Sequence, residues 1–132
     1  MRTEVDFPAR IENLSIAEKL IDEISAEYNL SSEVYGNILV AIVEAVNNAI
    51  LHGNKLNPEK FVHLSYLVDK NILSFIICDE GGGFDYSSVP DPTLDENLEK
   101  PHGRGIFLMK HLADEINFFR NGAEIELKFN LV

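Results

Sequence analysis

Two stretches in the first half of the chain repeat apolar residues at the spacing of an α-helix. Between residues 14 and 28 apolar side chains recur every three or four positions, which predicts an amphipathic helix, and Ser15 with Glu18 predicts a capping box at its start. A second, longer apolar stretch follows the cap-like residues 31–33 and runs to Gly53, a residue type that ends helices. We therefore predict two helices that each bury one face.

Alternating apolar and polar residues in the second half predict strands. Residues 61–68 and 72–78 alternate on either side of a turn at residues 69–71, as in a β-hairpin. Asn121-Gly122 is a strong signal for another hairpin, and residues 2–8 alternate weakly, as in an edge strand. The second half therefore predicts an antiparallel sheet.

The last strand, which follows the Asn121-Gly122 turn, has apolar side chains on one face and polar side chains on the other. Apolar residues occupy one face and polar residues the other: Ile125, Leu127, Phe129 and Leu131 against Glu124, Glu126, Lys128 and Asn130. Such a strand packs on one side and meets water on the other. With a short helix at residues 106–115, the elements predict an α+β fold, a two-layer α/β sandwich with a mixed, mostly antiparallel sheet and helices on one face.

Composition and charge limit the classes of function. The 132 residues suffice for a single domain spanning residues 1–132. With 11 basic and 22 acidic residues the net charge is −11, which disfavours general nucleic-acid binding. Cys78 is the single cysteine, and we see neither a signal peptide nor a run of 18 apolar residues, so we expect a cytoplasmic protein without a membrane segment.

Glu44 and Asn48 form the first polar motif, one turn apart on the long second helix. Such residues in an otherwise apolar helix are costly unless water or a ligand meets them. One interpretation is a solvent-facing strip. The other is that Asn48 offers an oxygen to Mg²⁺ and that Glu44 acts as a general base.

Asp79 begins the second motif, directly after an apolar strand. Its carboxylate at the strand end can accept a hydrogen bond from the amine of adenine, and the glycines at 81, 82 and 83 permit close approach of a ligand to the backbone. A plain turn between two elements is the alternative. The Gly- and Pro-rich stretch 80–105 is too long for a simple connection, which favours a functional loop.

The third motif, Gly103-Arg104-Gly105, precedes the short helix. Backbone N–H groups at a helix start bind anions, and Arg104 adds a charged contact to phosphate. The motif fits neither the Rossmann fingerprint nor a Walker A loop. Four other residues are expected to be ordinary surface residues: Lys55, His63, His102 and His111.

The order of the three motifs resembles the Bergerat-type ATP-binding fold of gyrase, mismatch-repair ATPases, the large heat-shock chaperone and histidine kinases. The resemblance covers roughly residues 10–130 and includes Glu44-x-x-x-Asn48-Ala49, His52-Gly53, Asp79-x-Gly81-x-Gly83-Phe84 and Gly103-Arg104-Gly105-Ile106. Within this superfamily the wording of the first motif is similar to that of the anti-sigma-factor serine/threonine kinases.

The resemblance implies a role for each matching residue. It implies that Asn48 binds the Mg²⁺ of Mg-ATP and that Glu44 is the catalytic base. It further implies that Asp79, Gly81 and Gly83 bind the adenine, and that the third motif binds phosphate at the end of a lid over residues 85–102. The implied partners are a STAS-domain anti-anti-sigma protein and a sigma factor, commonly bound by a homodimer that regulates transcription.

Two departures from the family pattern keep alternatives open. The final hairpin, Asn121-Gly122-Ala123, lacks a threonine that often touches phosphate in this family, and the lid is rich in acidic residues. The alternatives are an ATP-dependent binding or adaptor module without kinase activity, a simple ATPase, and a detached histidine-kinase domain. Glu44 argues against a detached histidine-kinase domain, because typical histidine kinases have asparagine at the equivalent position of this motif.

Overall fold

The structure, a computed structural model, describes residues 2–81 and 101–132. Within these ranges the chain forms five strands and three α-helices. In chain order these are β1 (Thr3–Pro8), α1 (Leu14–Tyr28), α2 (Ser32–Asn48), β2 (Phe61–Asp69), β3 (Ile72–Cys78), α3 (Pro101–Leu112), β4 (Glu115–Phe119) and β5 (Glu124–Asn130). A π-helical segment (Ala49–Gly53) continues α2, and 3₁₀ turns lie at Ile11–Asn13 and Arg120–Gly122.

The five strands form one sheet in the order β1-β2-β3-β5-β4. Both predicted hairpins are confirmed, with Asp69 opposite Ile72 in the first and Phe119 opposite Glu124 in the second. The second is joined by four residues, 120–123, instead of the two-residue turn that Asn121-Gly122 predicts. Every described pair is antiparallel, so the expectation of a mixed sheet is corrected. The reason is that β5 lies between β3 and β4, the two strands that α3 connects.

The helices cover one face of the sheet, as predicted for a two-layer α+β sandwich. The buried positions of β3 and β5 alternate along each strand and meet the apolar face of α2. These side chains include Ile38, Ile42, Leu73, Phe75, Leu127 and Phe129. Burial of each large apolar side chain contributes about 1.5–3 kcal/mol, and the opposite face of the sheet carries the polar positions of the same strands.

The long second helix is the main element of the core. Ser31 caps it, since its side chain accepts a hydrogen bond from the Val34 N–H (3.2 Å). By length and composition, Ser32–Gly53 could also cross a membrane (mean hydropathy 1.5), which the sequence analysis did not anticipate. Its apolar residues pack against the sheet, α1 and α3, so this hydropathy belongs to a core helix.

The predicted cap of the first helix and the predicted start of the third are wrong, although the first helix spans Leu14–Tyr28 as its apolar spacing predicts. Asn13, not Ser15, occupies the N-terminal cap of α1, and the Ser15 hydroxyl instead donates to the Glu12 carbonyl (2.9 Å), so no capping box forms. The third helix begins at Pro101 instead of residue 106 and ends at Leu112. Proline suits the first position of a helix because that position has no intrahelical partner for an N–H. The third motif therefore lies inside the helix.

Candidate functional site

The first part of the site lies where α2 meets α3. Asn48, at the end of α2, is 2% exposed, and Glu44 lies one turn earlier and is half-buried. A methyl group placed on Gly105 of α3 would lie 2.9 Å from Glu44 Oε2 and 3.4 Å from Asn48 Nδ2. Residues from the first and third motifs therefore lie against each other, and the lack of a side chain at Gly105 allows this close approach.

The buried amide of Asn48 lacks a hydrogen-bond partner for its nitrogen among the described residues. Leaving such a group unpaired costs about 1–3 kcal/mol. Both amide atoms face Gly105, since Nδ2 and Oδ1 lie 3.4 and 3.6 Å from the position that a methyl group on Gly105 would occupy. A half-turn of the amide exchanges oxygen and nitrogen. The side chain is therefore able to present an oxygen to a hard cation such as Mg²⁺.

The second part of the site is the turn after β3. Asp79 is 4% exposed, and its Oδ1 accepts a hydrogen bond from the Gly81 N–H (2.8 Å). Its own N–H donates to the Ala123 carbonyl (2.9 Å), which extends the pairing of β3 with β5 by one step. The backbone on both sides thus fixes the position of this carboxylate.

Glycine is required at two positions around Asp79. A side-chain carbon on Gly53 would overlap the Asp79 carboxyl group, and one on Gly81 would overlap the Gly53 carbonyl. The end of the helix and the turn after β3 therefore approach each other backbone to backbone. This contact brings the His52-Gly53 end of the first motif against the second motif.

Burial raises the pKa of Asp79, while the Gly81 N–H and the more distant Arg120 and Lys60 act in the opposite direction. A carboxylate with little water around it gains from any donor that reaches it. The exocyclic amine of adenine is such a donor. The electrostatics of Asp79 are thus compatible with binding a nucleotide base.

The two parts of the site lie at one end of the same helix. Asn48 ends α2 and Gly53 ends the π segment, so they are five positions apart. At about 1.5 Å per residue, this separation is no more than about 7.5 Å along the axis. An extended ligand is therefore able to reach both parts.

Asn54 is a buried site residue that the sequence analysis missed. Its Nδ2 donates to the Phe61 carbonyl (2.9 Å), and its Oδ1 accepts from the Glu80 N–H (2.8 Å). Its own N–H donates to the Ala49 carbonyl (2.8 Å). The residue is 1% exposed and joins the helix end, the start of β2 and the turn after β3. An asparagine after a helix-ending glycine has no sequence feature that distinguishes it from an exposed turn residue.

His63, expected to be an ordinary surface residue, lies between two carboxylates on the outer face of the sheet. Its Nδ1 is 2.7 Å from Asp6 Oδ1, and its Nε2 is 2.9 Å from Glu80 Oε2. The other oxygen of Glu80 accepts a hydrogen bond from the Phe61 N–H (3.0 Å). The Asp6 contact and then the Glu80 contact raise the pKa of His63, and the Phe61 N–H and His63 lower the pKa of Glu80.

Of the remaining predicted residues, only some lie within the part of the chain that the structure describes. Gly103 lies in the first turn of α3, where N–H groups have no intrahelical acceptor. Gly83 and residues 85–100 of the lid lie outside the described residues, as does the side chain of Arg104. The described geometry thus unites Glu44, Asn48 and Gly105, and separately Asp79 and Gly81.

Comparison with known proteins agrees with the geometry at the level of the family. The sequence profile described as "Histidine kinase-like ATPase domain" matches residues 7–129. The chain belongs to this family. The family resemblance that the three motifs indicated is thereby confirmed: the chain is a kinase-like ATPase domain.

Similar proteins of known name indicate which branch of the family the chain resembles. The chain is 32% identical over 126 residues to the anti-sigma F factor of Bacillus cytotoxicus, covering 92% of this chain and 86% of that protein. It is 31% identical over 121 residues to the anti-sigma F factor of Geobacillus stearothermophilus, covering 88% and 82% respectively. The chain is therefore an anti-sigma-factor-like member of the family.

Solved structures confirm the fold. A crystal structure of the RsbU and RsbW domains of a Mycobacterium tuberculosis protein matches with a TM-score of 0.71 at 15% identity, covering 99% of this chain and 32% of that one. The histidine kinase domain of a blue-light activated kinase from Erythrobacter litoralis matches with a TM-score of 0.58 at 17% identity, covering 94% and 61%. At these identities the likeness supports the fold alone.

Proposed function

We propose that this protein is an ATP-dependent serine/threonine kinase that phosphorylates a STAS-domain anti-anti-sigma partner and thereby regulates a sigma factor. The observation that carries the proposal is the close approach of Glu44, Asn48 and Gly105, which come from two of the three sequence motifs. The family supports ATP binding, and the relatives named anti-sigma F factor support the regulatory context. A free thiol at Cys78 fits a reducing cytoplasm.

The described residues fit Mg-ATP. The unpaired buried amide of Asn48, beside the Glu44 carboxylate and Gly105, is what a cation with phosphate oxygens would need. The buried Asp79 carboxylate suits the adenine amine. Bound Mg-ATP would supply the phosphoryl group and neutralise its negative charge.

Glu44 has the position of a general base. Its carboxylate lies beside Gly105, with Oε2 2.9 Å from where a methyl group on that residue would be, and it is half-buried on α2. In this role Glu44 would accept the proton of the serine hydroxyl while the serine oxygen bonds to the terminal phosphorus of ATP and the bond from that phosphorus to the oxygen that leaves with ADP breaks. Positioning of this kind, rather than covalent chemistry by the protein, is the main requirement of phosphoryl transfer.

A second candidate function is an ATP-dependent binding module without kinase activity. The motivating observation is Ala123, which is buried beside Asp79 in the hairpin where the family often has threonine. Alanine has no hydroxyl for a phosphate oxygen. The open edge of β1 would serve either function as the place where a homodimer forms.

One experiment separates the two functions. The protein is incubated with Mg-ATP and the STAS partner, and the partner is then weighed by mass spectrometry. We expect the partner to gain one phosphate. A tight complex with no added mass would favour the binding module, and phosphate release without any partner would favour a simple ATPase.

Glu44→Ala tests the assigned base. We expect this variant to bind ATP with nearly wild-type affinity and to transfer phosphate about 10²–10⁴-fold more slowly, the usual contribution of a general base. Single-turnover transfer at saturating ATP measures the chemical step. Wild-type transfer by this variant would remove Glu44 from the role and leave the ATP site intact.

A further inference from the structure

The turn that carries Asp79 is held from two sides through the next residue. On the inner side, the Glu80 N–H donates to the buried Asn54 Oδ1 (2.8 Å). On the outer side, the Glu80 carboxylate accepts from the Phe61 N–H (3.0 Å) and contacts His63 Nε2 (2.9 Å). Because the Asp79 Oδ1 in turn accepts from the Gly81 N–H, moving residue 80 moves the carboxylate.

We propose that Glu80 and His63 are positioning residues that fix the Asp79 carboxylate for the nucleotide base, so that protonation of His63 controls how tightly the nucleotide binds. This inference rests on the proposed function, because it assumes that Asp79 binds adenine. It adds a regulatory element on the opposite face of the sheet from the helices. We call the linked side chains of Asp6, His63 and Glu80 the outer clamp.

The chemistry of the imidazole ring makes the outer clamp sensitive to protons. The ring contacts a carboxylate at each nitrogen, Asp6 at 2.7 Å and Glu80 at 2.9 Å. A protonated ring donates to both, but a neutral ring has one N–H and donates to only one of them. Loss of the proton therefore turns one contact into a repulsion between a ring nitrogen and a carboxylate.

The groups around His63 leave it as the titrating member of the outer clamp near neutral pH, among the residues that the structure describes. From β1, Glu4 and Asp6 face the same hollow, and from β3 the neighbour is Cys78. Burial raises the pKa of Cys78 to about 11, so the thiol stays neutral. The nearby cation Lys60 lowers the pKa of Glu80, as His63 does.

The direction of the pH effect follows from these contacts. Both carboxylates favour the charged ring, so the pKa of His63 lies above its ordinary value. Both hydrogen bonds of His63 in the outer clamp are therefore formed at pH values below the ordinary histidine range. One of them is lost as the pH rises through the elevated pKa. Nucleotide affinity should fall on the alkaline side in the same interval.

The test is ATP affinity measured by calorimetry with Mg²⁺ between about pH 6 and 9, the range around histidine titration. We expect the wild-type Kd to rise about five- to tenfold over this range, the equivalent of one charge-assisted hydrogen bond. His63→Gln and Glu80→Gln should bind weakly at every pH with a flat profile. His111→Gln is the matched control, since His111 is exposed on α3 against Phe107, and it should keep the wild-type profile.

A second measurement separates this inference from the proposed function. Backbone amide shifts of residues 79–81 in the nucleotide-free protein should follow the His63 titration and stop doing so in Glu80→Gln. A flat wild-type affinity profile, or amides that ignore His63, would overturn the inference while ATP binding stands. If the amide shifts follow the His63 titration but the protein binds no ATP, the proposed function is overturned. The outer clamp would then be supported as a purely structural device.

Discussion

Substitution of Gly105 by alanine should separate stability from activity. The new methyl group would lie 2.9 Å from Glu44 Oε2, whereas ordinary contacts begin at 3.4 Å, so the carboxylate must retreat by about 0.5 Å. The atom that must move is the tip of a flexible side chain, which makes the adjustment inexpensive for folding. In the middle of a helix, alanine is also more stable than glycine by about 1 kcal/mol.

Activity should respond in the opposite direction. A catalytic group displaced by about 1 Å can cost about a hundredfold in rate, so a shift of half that size should cost about tenfold or more. The methyl group also fills the space beside the Asn48 amide, where its distances to Nδ2 and Oδ1 are 3.4 and 3.6 Å. We therefore expect weaker Mg-ATP binding together with slower phosphate transfer.

The assay combines urea unfolding of the nucleotide-free protein with ATP binding and single-turnover transfer to the STAS partner. Gly36→Ala is the matched control, because Gly36 also lies within a helix but a methyl group there would contact nothing within 4 Å. Both variants should gain stability, and only Gly105→Ala should lose activity. Full activity in Gly105→Ala, or a loss of activity that merely tracks a loss of stability, would refute the arrangement around Glu44 and Asn48.

Two further substitutions test the second part of the site. Asp79→Asn should abolish tight ATP binding yet stabilise the nucleotide-free protein by about 1 kcal/mol near neutral pH, because it removes a buried charge. Since burial raises the pKa of Asp79, that gain should vanish as the pH falls below the ordinary aspartate range; equal stability of both proteins at all pH values would contradict it. Asn54→Ala should lower the free energy of unfolding by about 2–4 kcal/mol, because the Glu80 N–H and the Phe61 carbonyl lose their partner. Chemical denaturation measures this loss, and a cost below about 0.5 kcal/mol would mean that water replaces the side chain.

Much of the fold was predictable from local patterns. The alternation in β5 and the Asn121-Gly122 turn correctly predicted a hairpin, because a one-residue slip would move every apolar side chain to the wet face. Ser31 correctly predicted the start of α2 because its cap depends on residues only three positions away. Such signals are contained within a few residues of sequence.

The parts that were missed depend on contacts between distant segments. Asn54 and Glu80 are 26 positions apart, and only the folded backbone brings the Asn54 amide to the Glu80 N–H. His63 and Asp6 are separated by 57 positions and meet because β1 pairs with β2. Motif spacing therefore indicated residues that the structure brings together, such as Asn48 and Gly105, but not the residues that hold Asp79 in place.

The π segment at the end of α2 has a consequence for how this sequence can vary in length. A π turn accommodates one more residue than an α turn, so the helix end is rotated relative to an uninterrupted α-helix. Removing a single residue between 49 and 53 would let this turn close with regular α geometry, because four α residues turn the chain about as far as five π residues do. Gly53 would then still point toward Asp79, and Asn54 toward Glu80. A length change of one residue should accordingly be absorbed in this one helical turn, whereas the two-residue turn between β2 and β3 fixes its own length.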